Sequence, residues 1–391
     1  MLSWPLGQAA PRPDGGSTVA SKTPRQRVLD ALAHVQPSHV PVDIGGSNVT
    51  TVVDTAYERL KAVLGVQAPT AYISRRARQS SLDEATLERL GTCTRPVYLG
   101  KPDRAGHQRS DGTIVDEWGV GWRAAGGHYN PVENPLAGDD LSALGRYAWP
   151  DPDDPGRYRD LSAQVERCGL DGRYATVLSL PVAVVHMSQY LRGFDDYLMD
   201  LVANPGYAED LMGRVMEVYL RIVENALAAV GRRVDVVSFG DDVGFQDRPM
   251  VRPAVYRRLI KPHHATIVAR VKQVTGAAVM FHTCGAVRDL IPDFIDIGVD
   301  ALNPVQVAAA GMGDTAALKR DFGAALTFWG AVDTQRVLPF GSAEDVRAEV
   351  RRRIDDLAAG GGFVLAAVHD IQDDVPPENL LAMADAAAAF G

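Results

Sequence analysis

The chain has 391 residues, 46% of them hydrophobic and 23% charged, with a formal net charge of −9. That acidic balance and the lack of a dense basic run argue against a nucleic-acid surface, and no apolar stretch approaches membrane-spanning length. Three cysteines, Cys93, Cys168 and Cys284, are too few and too scattered for a disulfide framework; they fit a reducing cytoplasm, which is the expected location.

Residues 1–22 are rich in Pro, Gly, Ala and Ser and lack the basic-then-apolar order of a secretory signal. They read as a disordered leader, and residues 23–391 as a single domain. Short apolar runs bounded by Gly, Pro or Asp then follow at 41–44, 96–99, 176–180, 235–239, 278–281, 300–304, 326–330 and 363–368. Most are separated by helix-length segments of 3.6-residue period. Asn204-Pro205 opens the longest, with Leu211, Val215, Val218, Tyr219 and Ile222 on one face and Gly231 after its end. Asp314 and Ser342 precede two more.

Strand and helix alternating eight times predicts parallel pairing with right-handed crossovers, an α/β fold of the (β/α)8 TIM-barrel type. An open doubly wound sheet is the runner-up, but no G-x-G-x-x-G follows the first strand. One segment breaks the alternation after strand two. Gly112 to Gly127 reads as a Gly-punctuated β-hairpin, inside an insertion of about 101–160 that caps the barrel.

Barrel chemistry gathers where the βα loops converge, at the C-terminal ends of the strands. There the chain places Asp241 and Asp242 after strand four, His282-Thr283-Cys284-Gly285 after strand five, Asn303 and Gln306 after strand six, Asp333 after strand seven, and His369 after strand eight. Strand residues two apart share a face, so the imidazole of His282 and the thiolate of Cys284 can grip one ion. Zinc is the ion that most favours that mixture. The bland alternative is a buried Cys beside a hydrogen-bonded core His.

The other positions carry paired readings too. Adjacent carboxylates on a strand end point to opposite sides, so one of Asp241 and Asp242 enters the mouth; a helix cap is the alternative. Asn303 and Gln306 can donate and accept, which suits fixing a polar substrate, although Asn303-Pro304 also suits a turn. Gly45-Gly46 lets backbone approach a ligand or simply makes a tight turn. His186 reaches the rim or is structural, Cys93 is an apolar filler, and the pair His263-His264 is expected to face solvent.

Residues 281–307 (FHTCGAVRDLIPDFIDIGVDALNPVQV) and 361–380 (GGFVLAAVHDIQDDVPPENL) resemble the uroporphyrinogen decarboxylase superfamily, and within it the branch of methylcobamide:coenzyme M methyltransferases and related corrinoid-dependent demethylation enzymes. The resemblance is specific over the last third of the chain. It implies a (β/α)8 barrel, one zinc per chain, a methyl group presented as methylcobamide on a separate corrinoid carrier protein, a small-molecule thiol acceptor and a homodimer. It implies His282 and Cys284 as ligands, and puts His369 where those enzymes have a third, cysteine ligand. Three protein ligands with one open position is a catalytic pattern. In the decarboxylases the matching His contacts a substrate carboxylate, so both roles stay open for His369. Asp242 matches a polar position of the fourth-strand motif and is the expected catalytic carboxylate.

Porphyrinogen decarboxylation itself is not expected. Where that family has an Arg-Gln-Ala-Gly-Arg loop, this chain has Asp43-Ile44-Gly45-Gly46-Ser47-Asn48, and Pro96-Val97-Tyr98-Leu99-Gly100 replaces its Phe-Ser-Asp-Ile-Leu strand. Three functions follow in order: a zinc-dependent methyltransferase, a decarboxylase of a non-porphyrin carboxylic acid, and a catalytically silent ligand-binding barrel.

Overall fold

The computed structural model describes residues 22–104, 106–125, 127–138, 140–169 and 172–391. The expected leader therefore lies, apart from Lys22, outside the described residues. Seven strands form one parallel sheet in unbroken chain order: Thr94–Tyr98, Ala175–Val182, Val236–Gly240, Ala278–His282, Ala301–Asn303, Thr327–Val332 and Phe363–Ala367. The first run, expected at 41–44, contributes a single rung. Val42 pairs in parallel with both Leu365 and Thr92, which joins the two edges of the sheet and closes the ring. These are counted below as strands one to eight.

The strands are apolar on both faces because both faces are covered. Inward-facing Cys93, Ala175, Val177, Val236, Met280, Ala301, Trp329, Val364 and Ala366 fill the barrel, and Val28 and Ala31 of the helix Pro24–Leu32 plug its lower end. A larger cluster lies between the strands and the surrounding helices. The helix Pro205–Val230 turns Leu211, Val215, Tyr219, Ile222 and Ala226 into that layer. Each of the larger aliphatic side chains among them contributes roughly 1.5–3 kcal/mol on burial. Asn204 precedes this helix without capping it; its side-chain amide donates to Asp200 at 2.9 Å. Asp314 caps Thr315–Phe322, and Ser342 forms a reciprocal capping box with Asp345 ahead of Ala343–Leu357.

Two features depart from expectation. The hairpin expected within 112–127 is present, Ile114–Val115 pairing antiparallel with Gly121–Ala125, but it forms the middle of a four-stranded antiparallel sheet flanked by His107–Gln108 and His128–Glu133. Its last strand is exposed apart from Tyr129 and contains Pro131, so it carries no apolar alternation to reveal it. Trp122 anchors this sheet, its ring 4.9 Å edge-on from Tyr190 of the helix Val184–Arg192. A second antiparallel pair, Ala71–Ser74 with Gln79–Ser81, sits in the connection from strand one to strand two.

Candidate metal centre

His282 ends strand five, in register with Gly240 on one side and Asn303 on the other. With Met280 it shares the inward face, so its ring points into the upper barrel and is 5% exposed. Register places Asn303 beside it, and Oδ1 of Asn303 accepts from Nδ1 of His282 at 2.6 Å. The amide of Asn303 is itself oriented, its Nδ2 donating to the carbonyl of Trp329 at 3.0 Å. This leaves Nε2 of His282 as the lone-pair nitrogen. Nε2 lies 3.7 Å from Sγ of Cys284. The ring of His369, from the loop after strand eight, is 5.4 Å from that of His282, centroid to centroid. One ligand atom from each of His282, Cys284 and His369 lies within 4.8 Å of the others.

The loop holding Cys284 is tightly tied. Its backbone N–H donates to Oδ1 of Asp242 at 2.7 Å, Thr283 Oγ1 accepts from Val243 N at 3.1 Å, and Gly285 N donates to Oε1 of Gln306 at 2.6 Å. Gly285 has φ +97°, and a Cβ there would stand 2.5 Å from the backbone of Gly244. Only glycine lets the loops after strands four and five pack this closely.

Burial holds the His282 imidazolium down to a pKa of about 4, against the opposing charge of Asp242, so the ring is neutral and free to ligate. Burial and then the carboxylates of Asp242 and Asp370 push the Cys284 thiol well up. A thiol in such surroundings becomes a thiolate when a cation joins it. A neutral imidazole, a sulfur and a second imidazole near two carboxylates fit a borderline-soft divalent ion such as zinc.

The remaining expected residues divide between the site and its frame. Asp242 lies beside the cluster; burial alone would raise its pKa, but His186 and the Cys284 amide hold it well below the usual carboxylate range. Asp241 points the other way and is fully buried. Asn303 and Gln306, expected on substrate, hold His282 and Gly285. Oδ1 of Asp333 accepts from the backbone of Gln335 and Arg336, a turn role. Gly46 donates its N–H to Asp43, and a Cβ there would come within 1.8 Å of Thr94 Oγ1. Its lack of a side chain thus serves packing around Asp43.

His264 is a correction. Expected to face solvent, it is 0% exposed. It shares the stripe of Ile260, Ile267, Val268 and Val271, spacing that was there to be read. His186, expected at the rim or in a structural role, has its ring 3.5 Å from Asp242. Cys93 is buried inside the barrel as expected. Cys168 lines a separate cavity of about 970 Å³ outside strand two, with Arg95, Tyr98, Gln164 and Tyr174, which shares no residue with the metal group.

A sequence profile of the uroporphyrinogen decarboxylase (URO-D) family matches residues 173–390. No curated protein matches the chain. Among solved structures, a methyltransferase from Methanosarcina mazei superposes with a TM-score of 0.67 at 19% identity, over 94% of this chain and 99% of that one. A β-glycosidase from Thermosphaera aggregans has a TM-score of 0.41 at 12% identity, over 91% of this chain and 97% of its own. At 19% identity the first likeness establishes a shared fold. No helix among the described residues is long and apolar enough to cross a membrane.

Proposed function

The chain belongs to the uroporphyrinogen decarboxylase family, and from that premise we propose that it is a zinc-dependent methyltransferase, moving a methyl group from a corrinoid or similar carrier to a thiol acceptor. The observation that carries this reading is the convergence of His282, Cys284 and His369 within 4.8 Å. The His282 tautomer is already set for ligation by Asn303. The porphyrin-type arginines and aspartate are absent from the first two strands, which turns the reading away from the family's namesake reaction.

His282, Cys284 and His369 would hold the ion, leaving a fourth position for the acceptor. Zinc there would keep the acceptor as thiolate at neutral pH, where a free thiol of pKa about 8.5 is mostly protonated. The chain's own residues do the rest. Asn303 keeps the proton of His282 on Nδ1, Asp242 fixes the Cys284 backbone, and Gln306 holds the loop at Gly285, while the acceptor's proton leaves to solvent. No protein nucleophile is required. The methyl donor would arrive as a methylcobamide on a separate carrier protein.

The test is elemental analysis of protein purified without added metal. The expected result is near one zinc per chain, lost in Cys284→Ser. Metal-free protein with full turnover would defeat the reading.

One observation favours a second reading, a carboxy-lyase acting on a non-porphyrin acid. The N–H of Asp370 donates to Nδ1 of His369 at 2.7 Å. That bond leaves Nε2–H of His369 as a donor, suited to a substrate carboxylate. His369→Cys separates the two: a restored ligand keeps zinc and activity in a transferase, whereas a lost donor ends turnover in a lyase.

A further inference from the structure

Behind the metal group lies a second set of polar side chains that the proposed reaction leaves unused. Tyr256 opens a π-helical turn, Tyr256–Ile260, directly ahead of the helix Lys261–Thr275. Its hydroxyl is 3.2 Å from Nδ1 of His264, and Nε2 of His264 is 3.0 Å from Oδ2 of Asp241. All three residues are 0% exposed. One assignment satisfies every group: the Tyr256 hydroxyl donates to Nδ1, and Nε2–H donates to the carboxylate. Buried polar chains are tolerated when complete in this way, and costly when a member is missing.

Asp241 is the hub. Its carboxylate also accepts from the backbone N–H groups of Val185 at 3.0 Å and His186 at 2.9 Å, the first turn of a helix that has no side-chain cap of its own. Its own N–H donates to the carbonyl of His282 at 3.0 Å. One buried carboxylate therefore sets the height of the helix bearing His186 and the backbone of a metal-group residue. The His186 ring carries the chain forward. Nδ1 is 3.4 Å from both the Asp241 carboxylate and the Asp242 amide, and Nε2 is 3.5 Å from Oδ2 of Asp242. Asp242 in turn holds the Cys284 amide.

We propose that Tyr256, His264 and Asp241 are positioning residues for the metal group, acting on His282 through the strand backbone and on Cys284 through His186 and Asp242. The proposal rests on the metal reading above. Two features separate it from ordinary core packing. An apolar side chain would suit the buried stripe around 264, where the rings of Phe281 and Phe239 lie 4.9 and 5.9 Å away; the imidazole's distinct contribution is the proton it gives Asp241. The π-turn at Tyr256 also interrupts the regular ladder at the point where the hydroxyl must meet His264, a distortion that recurs at functional sites.

The test uses the full chain, stripped of metal and titrated with Co²⁺, following the near-ultraviolet thiolate-to-cobalt band and the visible ligand-field envelope. His264→Phe keeps the ring packing and removes both hydrogen bonds; Tyr256→Phe removes one oxygen; His264→Gln keeps a donor. We expect His264→Phe to weaken Co²⁺ binding about 10- to 100-fold and alter the ligand-field envelope, as loss of an outer partner does. Tyr256→Phe should cost roughly threefold, and His264→Gln should recover most of the affinity. Unchanged affinity and spectra in all three variants overturn the proposal and leave the metal reading standing. If the unaltered chain shows no cobalt band that disappears in Cys284→Ser, both fall. Should His264→Phe fail to fold, Tyr256→Phe decides.

Discussion

Strands four to six and strands one and two close the same ring but use their polar residues in opposite ways. In the first arc a side chain from one strand end holds a group of its neighbour: Asn303 the ring of His282, Asp242 the backbone N–H of Cys284, and Gln306 the backbone N–H of Gly285. The result is an imidazole nitrogen and a sulfur with capacity left over. In the second arc Asp43 spends its acceptors inward, taking bonds from Gly46 N at 2.9 Å, Thr94 Oγ1 at 2.8 Å, Thr50 Oγ1 at 3.1 Å and Trp329 Nε1 at 2.8 Å. Burial pushes its carboxyl above the usual range, and these four donors oppose that push. A polar residue near a barrel mouth thus signals chemistry only when its bonding capacity is not consumed by the fold.

That contrast can be broken. Gly46→Ala should have the largest effect on stability: its Cβ would stand 1.8 Å from Thr94 Oγ1 and 2.3 Å from Asp43 Oδ1, forcing the buried network apart at a cost of about 3 kcal/mol. Urea unfolding measures this, and metal affinity in the folded fraction should hardly move. Asn303→Ala should invert the pattern, with metal affinity falling about 10- to 100-fold and a smaller loss of stability, read by competition with a metal indicator. Equal behaviour of the two variants would erase the distinction between the arcs.

Gln79→Ala sharpens it from the boundary. Gln79 donates to Asp370 at 2.8 Å and to the carbonyl of Asn48 at 2.6 Å, joining the loop after strand one to the loop of His369. Its loss should cost about 1 kcal/mol and loosen metal binding slightly, through the loop that carries His369 and Asp370. A variant that binds metal as tightly as the parent would place His369 outside the ligand set.

Much of this was readable along the chain. Eight apolar runs located seven strands and the rung at Val42 to within a few residues, because strand periodicity is a local signal; His-x-Cys at a strand end pointed to two side chains that do come together, although the strand stops at His282 and Cys284 reaches it from the loop. The hairpin at 112–127 was legible, but the two strands that flank it were not, because His107–Gln108 is only two residues long and His128–Glu133 is largely exposed. His264 was misplaced although its spacing within the apolar stripe was informative; an imidazole among aliphatics looks soluble until its partner is known.

What the amino-acid order determined by itself is the alternation that closes a barrel, and the placement of His282, Cys284 and His369 at strand ends. Tertiary structure alone decided which polar groups remain free to act. Asn303 reaches His282 across 21 positions, Asp242 reaches Cys284 across 42, and His264 reaches Asp241 across 23. Those meetings depend on parallel register and helix docking, which are properties of the closed ring and appear in no single stretch of sequence.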